Sequence, residues 1–466
     1  IAADHVDIQA SGDINNSGTI RAGDSLNLSA GQDIANLSGR LSGGQVTLTA
    51  GRDIRNETTT FTSTGKLTQI TGIHQIAGIE ATNNLTLNAG RDVSIQGGEL
   101  AAGQNVDIAA GRNLEVGAVA QRDHLTPKSY ERDNTLNLVS SIQGGGNVTL
   151  TAKQDANLRG AQVDAGGDLS LAAGGNINLT AVKDRIIADT KVKIDGGWRR
   201  TRTDDETVIG STLHAGGQVT VAAVQQPGAT GNTQTSRGNV TIEGSNIVSD
   251  SGAVAIQADN DITVKGTTER HEKLVHTHRH SSGFLSSTTT DIREYQAINQ
   301  VVGSNVSGDQ VDLQAGRDLT VAGSSVVATH DVALAAGNDV HITAAEETSR
   351  YEYAKSKKKS GAFASGVGVT IGTQSQKRTL DNQAVTQVGS TIGSIDGNVN
   401  ITAGKDMNLT GSDIISGQDT NVTAQNITID AATNSGETKE TYKFKSSGLT
   451  VSVNSPAIDK ITTIAN

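Results

Sequence analysis

An all-β fold, a right-handed parallel β-helix of about 20–21 residues per coil with inserted β-hairpin arms, is predicted by three observations. A phrase of Ala, Gly, any residue, Asp or Asn, followed by alternating apolar residues, recurs along the 466 residues. Neighbouring copies lie 20 or 21 residues apart. The composition sets 54 glycines against 3 prolines and 2% aromatics, which suits frequent corners around an aliphatic bore. A short fixed period assembled from period-2 runs is the pattern of a β-solenoid, and parallel crossovers favour the right hand.

The phrase first reads Ala30 to Ile34 and Ala50 to Ile54, then Ala89 to Val93 and Ala110 to Leu114. It returns at Ala173 to Ile177, Ala315 to Leu319, Ala336 to Val340 and Ala403 to Met407. In the run Gln45 to Thr49, Val46 and Leu48 point into the bore and Thr47 and Thr49 face solvent, because side chains alternate across a strand. The Asp or Asn after each Ala-Gly supplies turn chemistry, and stacked copies form ladders rather than ligand sites. One continuous region over 1–466 is expected, with fifteen or so coils and a length on the order of 70 Å.

Four polar excursions leave the repeat near Gly117, Val182, Lys265 and Thr343, and a fifth segment follows at about 433–456. The arms are bounded at about 117–139, 183–209, 266–302, 344–388 and 433–456. Three rejoin through a shared phrase, at Ile209 to Leu213, Val302 to Val306 and Val388 to Ile392, so they are inserted at an equivalent point of the coil. Asp195-Gly196-Gly197 is read as the turn of one hairpin. The mixed cluster of Arg199, Arg200 and Arg202 with Asp204, Asp205 and Glu206 is read as salt pairing across that hairpin.

Three arms share an acidic start, a basic stretch, Ser-Gly and an apolar strand. One contains His278, Arg279, His280, Phe284 and Leu285; another Lys355, Lys357, Lys358, Lys359, Phe363, Val367, Val369 and Ile371; the last Lys443, Lys445, Leu449, Val451 and Val453. These residues are the candidate membrane or partner contacts, since lysines meet an anionic surface and alternating strands supply an apolar face. The competing reading is an edge-protected hairpin whose lysines prevent aggregation while Val367, Val369 and Ile371 pack on the rod. His276, His278 and His280 share a strand face, yet no cysteine or second ligand cluster accompanies them, so a solvated hairpin is favoured over zinc. No metal, cofactor or catalytic residue is expected.

The formal charge of −11 argues against a nucleic-acid binder. Asp residues spread at repeat spacing argue against a polysaccharide-cleaving enzyme, and a single tryptophan, Trp198, against a carbohydrate platform. Cysteine is absent, which is compatible with export. Ile1 opens within a repeat, so an excised segment of a longer protein is expected.

The AGxDhxh phrases, the basic Ser-Ser-Gly arms and the segment Lys443 to Pro456 resemble the filamentous haemagglutinin family of two-partner secreted proteins. More narrowly, they resemble the second haemagglutinin-repeat region of contact-dependent growth inhibition toxins. The resemblance implies a filament secreted to the surface of a Gram-negative bacterium through an outer-membrane transporter partner. It implies a delivery segment that engages the target-cell outer membrane, associates with it, and helps a C-terminal toxin to cross. Neighbouring domains of the same effector would be partners, and self-association of arms is possible in that picture. An adhesin or stalk that binds a surface receptor without entering lipid is the alternative.

Overall fold

The computed structural model describes residues 1–224, 238–365 and 368–452. The described residues contain the expected parallel β-helix, with three short strands per coil. In one coil these are Glu99–Ala102, Val106–Ala110 and Leu114–Gly117. Each pairs in parallel with its equivalents above and below, and the third strands stack into a 13-stranded sheet. Thirteen coils at about 4.8 Å make a rod of roughly 60 Å, shorter than the fifteen expected because the arms consume more of the chain.

The bore is filled by aliphatic stacks in exact sequence register. Val46 pairs with Leu85, Leu85 with Val106 and Val106 with Val148, all fully buried. Thr47 and Thr49 lie outside, as alternation requires. At the N-terminal end three asparagines enter the wall: Asn16 Nδ2 donates to Asn36 Oδ1 at 2.7 Å, and Asn36 Nδ2 to Asn56 Oδ1 at 2.7 Å.

Each of the three corners carries its own polar ladder. After the Ala-Gly phrase, each Asp or Asn carboxyl or amide oxygen accepts the backbone N–H of its equivalent in the next coil, as in Asp13 from Asp33, Asp33 from Asp53 and Asp155 from Asn176. A second ladder runs from Asn84 through Asn105 and Asn147 to Asp168. Stacked carboxylates repel, and the Arg of the next coil's phrase offsets this: Arg52 pairs with Asp33 at 2.6 Å, Arg91 with Asp53 at 2.6 Å, and Arg112 with Asp92.

The third corner launches the arms. There the chain either turns tightly through a left-handed residue, at Ser38, Gly97, Gly160, Gly244, Gly323 and Gly411, or leaves the coil. The two choices alternate: the arms follow the third strands ending at Glu57, Gly117, Thr180, Lys265 and Thr343, each separated from the next by one tight-turning coil. The five hairpins are the first arm (Thr60–Thr64, Thr68–Ile73), second (Val119–Leu125, Tyr130–Leu138), third (Val182–Ile194, Gly197–Ile209), fourth (Thr267–Ser282, Ser286–Val302) and fifth (Ala345–Ser365, Gly368–Val388). A single strand, Ser435–Ser452, follows the last tight coil.

A buried serine ladder fixes the arm roots. Ser211 N–H donates to Ser245 Oγ, Ser245 N–H to Ser304 Oγ, and Ser304 N–H to Ser324 Oγ, each at 3.1 Å. The hydroxyls donate in turn to carbonyls, Ser304 Oγ to Lys265 at 2.7 Å and Ser390 Oγ to Thr343 at 2.7 Å. Ser211, Ser304 and Ser390 are the serines of the rejoining phrase, and Ser245 and Ser324 follow the tight turns at Gly244 and Gly323.

Candidate functional site

The arms do not fold back on the rod. They pair edge to edge into one antiparallel sheet of 11 strands, with the first arm at one edge and Ser435–Ser452 at the other. Asp123 pairs with Ile70, Tyr130 with Thr190, Trp198 with His278, Tyr295 with Glu352 and Ile371 with Leu449. The reason is metric. A hairpin is two strands wide, two coils rise by the same two strand spacings of about 4.8 Å each, and an arm on every second coil therefore meets its neighbour in hydrogen-bonding distance.

The sheet is one layer thick, and its side chains are mostly half-exposed on both faces. Strand length grows along the chain, from 5 residues in the first arm to 13 in the third and 21 in the fifth. Register assigns side chains to faces, since paired residues point the same way. One face holds most of the ion pairs, among them Arg185 with Asp204 at 2.6 Å, Arg200 with Asp189 at 2.5 Å, Arg122 with Asp133 at 2.7 Å and Arg350 with Glu352 at 2.7 Å, while Arg132 with Asp123 and Arg378 with Glu440 lie on the other. The guanidinium of Arg185 holds the nearly buried Asp204 carboxyl below its usual range, and Arg122 does the same for Asp133. Of the cluster expected to pair across the hairpin, Arg200, Asp204 and Glu206 pair with its other strand, Asp205 lies 3.2 Å from His271 of the fourth arm, and Arg199 and Arg202 make no ion pair among the described residues.

His276, His278 and His280 share this face. His278 stacks on Trp198 with ring centroids 5.7 Å apart and Nδ1 lies 2.7 Å from Asp291 Oδ1; His276 meets the Trp198 edge at 4.8 Å. Lys191 Nζ lies 4.3 Å over the Trp198 ring. The tryptophan ring is therefore engaged by neighbours within the sheet. Among the described residues no group of three His, Cys, Asp or Glu is arranged to hold a metal.

The lysine run divides between the faces. Lys355, Lys357 and Lys359 project on one side, level with Arg199 and Arg279; Lys358 projects on the other, in the row of His280, Ser375 and Lys445, two residues along the strands from the row of Lys377 and Lys443. The basic stretch is thus a belt around both faces rather than a stripe on one. Next along the strands comes a row of glycines, Gly361, Gly372 and Gly448, paired with one another. A Cβ at Gly361 would meet the Leu285 carbonyl oxygen at 2.1 Å, so close strand approach requires glycine there.

Beyond that row lie the apolar ends of three neighbouring elements. Ala362 N–H donates to Leu285 O at 2.8 Å, setting the tip of the fourth arm beside Ala362, Ile371 and Leu449, which pair across the fifth arm and the last strand. Phe284 is 100% exposed, Leu285 66%, Leu449 71%, Ile371 59% and Val369 45%, and Phe363 is half-buried. Val369 and Ile371 do not pack on the rod, because the strands carrying them stand away from it. Val367 and Val453 lie outside the described residues; Val451 pairs with Val369.

Sequence reasoning missed the first arm, although the Ala-Gly phrases at Ala50 and Ala89 stand 39 residues apart, nearly two periods. The segment expected as a final arm is, over its described part, one strand.

Two descriptions match, both of haemagglutinin repeats. One covers residues 1–70, the other 59–131, 126–197, 192–297, 285–381 and 371–464. Each successive match of the second description takes in strands of two neighbouring arm elements and the coils between them. The chain is 31% identical to the tRNA nuclease CdiA of Escherichia coli (strain STEC_O31) over 81% of its length and 11% of the relative. It is 34% identical to the deoxyribonuclease CdiA of Dickeya dadantii over 84% of its length and 11% of the relative, and 29% identical to the tRNA nuclease CdiA-2 of Burkholderia pseudomallei over 85% and 13%. The chain thus spans about a tenth of these relatives. No solved structure matches it.

Proposed function

The chain belongs to the haemagglutinin-repeat family, as a repeat region of the kind found in CdiA proteins, and from that premise we propose that it is a non-enzymatic delivery segment whose arm sheet engages the outer membrane of a target cell. The nuclease activities in the relatives' names belong, in this reading, to a C-terminal toxin that the segment helps to convey. The whole effector is secreted through an outer-membrane transporter and displayed on a Gram-negative surface.

The observation that carries the reading is the order along the arms: paired charges, then a basic belt, then a glycine row, then exposed apolar tips at one common level. That is the order of an anionic headgroup layer and the hydrocarbon beneath it. Each Lys or Arg near an anionic surface contributes about 1 kcal/mol, and each fully buried large aliphatic or aromatic tip about 1.5–3 kcal/mol. Four described residues of the fifth arm's first strand, 362–365, lie past the glycines, fewer than the roughly 9–11 a membrane-crossing strand needs. The tips therefore dip into one leaflet, and an open sheet edge would keep the rest in water, since unpaired backbone in lipid is too costly.

Flotation of the purified segment with outer-membrane-like liposomes, followed by protease mapping, tests this. Flotation with protection of residues 355–372 is expected, and loss of both in Ile371→Asp/Leu449→Asp with an unchanged circular dichroism spectrum. Equal flotation of that variant, or none of the native segment, removes the membrane reading. A receptor-binding adhesin or stalk then stands in its place, using the open strand edge of Ser435–Ser452.

A further inference from the structure

Three arms together build a cavity of about 420 Å³ on the sheet face opposite most of the ion pairs. Arg199 and Arg279 form one wall, Lys355 and Lys357 the other, and the floor is Thr and Ile, including Thr290 and Ile292. The register explains the shape. Arg199 pairs with Thr277, Thr277 with Ile292 and Ile292 with Lys355, three strand spacings or about 14 Å at the backbone, while Arg279 pairs with Thr290 and Thr290 with Lys357, two spacings or about 10 Å.

Four cations face a single carboxylate, Glu294, in the lining. No ion pair among the described residues engages any of the four, whereas Arg185, Arg200 and Arg270 on the opposite face are each held by an aspartate. Arg202, Arg293 and Lys273 are likewise outside any ion pair among the described residues; what marks these four is that they line one concavity, and that concentration suits an anion. Guanidinium and ammonium groups suit phosphate oxygens, through forked and point-charge contacts respectively. A ligand with a phosphate at each end of a body roughly a disaccharide long can engage both walls at once, each phosphate on its own pair of cations. The Thr and Ile floor suits a sugar body with hydroxyls and an apolar side. The cavity lies just short of the glycine row, at the level of the third arm's turn, Asp195-Gly196, below the exposed tips of the fourth and fifth arms.

We propose that this cavity binds the headgroup of a membrane glycolipid carrying one phosphate at each end. The proposal rests on the membrane reading for its source and specifies which lipid chemistry the arms recognise.

The test uses phosphatidylcholine vesicles containing lipid A with both phosphates, or its monophosphoryl form at twice the amount to match surface charge. The expected result is at least about ten-fold tighter association with the bisphosphorylated vesicles, abolished in Arg279→Gln/Lys357→Gln. Equal association at matched charge overturns the cavity proposal and leaves the membrane reading standing. Calorimetry with the deacylated bisphosphorylated disaccharide separates the two further. Saturable one-to-one binding that the double variant loses supports the cavity even if no vesicle floats, and absence of binding overturns it. A registered disulfide between Tyr295→Cys and Glu352→Cys, formed equally with and without the cavity substitutions, checks that the sheet is intact.

Discussion

Single side chains at the corners hold this molecule in register. Ser304 illustrates the point: its hydroxyl accepts the Ser245 N–H and donates to the Ile242 and Lys265 carbonyls, all at a buried corner. Ser304→Ala leaves that N–H without an acceptor and is expected to cost about 1–3 kcal/mol, measured by chemical denaturation against an exposed serine control. The carboxylate ladder makes stability depend on acid. Arg52 and Arg112 hold Asp33 and Asp92 below the usual 3.8, so their contribution is complete above that value and is lost as pH falls below it. The melting temperature should therefore drop as pH falls below about 4. His214 works in the other direction. It bridges Asp164 at 2.8 Å and Asp250 at 3.1 Å on three stacked coils, and both carboxylates raise it above 6.5. Its contribution is complete below about 6.5 and fades as pH rises through the raised value. His214→Gln should flatten the melting profile over that upper window while leaving the acid limb in place.

The arm sheet depends on spacing between elements rather than on any one contact. Deleting Gly316 to Ala336 removes one tight-turning coil and rejoins two copies of the repeat phrase in register. The rod is expected to survive, because each coil contacts chiefly its neighbours. The fourth and fifth arms would then leave from adjacent coils, one strand spacing apart where a hairpin needs two, and could not remain paired. The protein contains no cysteine, so a Thr290→Cys/Lys357→Cys pair provides a clean readout: it should cross-link in the parent and fail in the deletion variant. Cross-linking of equal yield in both would show that the arms pair independently of the coil count.

Over the whole molecule, the same strand spacing serves two sheets with different support. The rod buries its aliphatic stacks completely, while the arm sheet gains mainly cross-strand ion pairs and half-covered side chains. Local opening should follow that division. Amides of Val311–Ala315 in the rod are expected to exchange roughly ten-fold or more slowly than those of Ser286–Val302 in the fourth arm, by hydrogen exchange and mass spectrometry. Uniform protection would mean that arm and rod unfold as one unit.

The coil period, the inward set of Val46 and Leu48, the turn role of the Ala-Gly-x-Asp phrase and the departure points near Gly117, Val182, Lys265 and Thr343 were all legible in the residues, because alternation and corner chemistry are local and repeat. The first arm was hidden by its brevity, with only the doubled interval between Ala50 and Ala89 to betray it. The division of Lys355 to Lys359 between two faces follows from alternation once the strand is known. What the order of residues could not decide was where separate arms end up relative to one another. Their union depends on the rise of two stacked coils equalling the width of one hairpin, and this equality exists only when the chain is wound. The basic cavity, the glycine row and the common level of the apolar tips are consequences of that union, since each draws its residues from arms that lie up to about 160 positions apart in the chain.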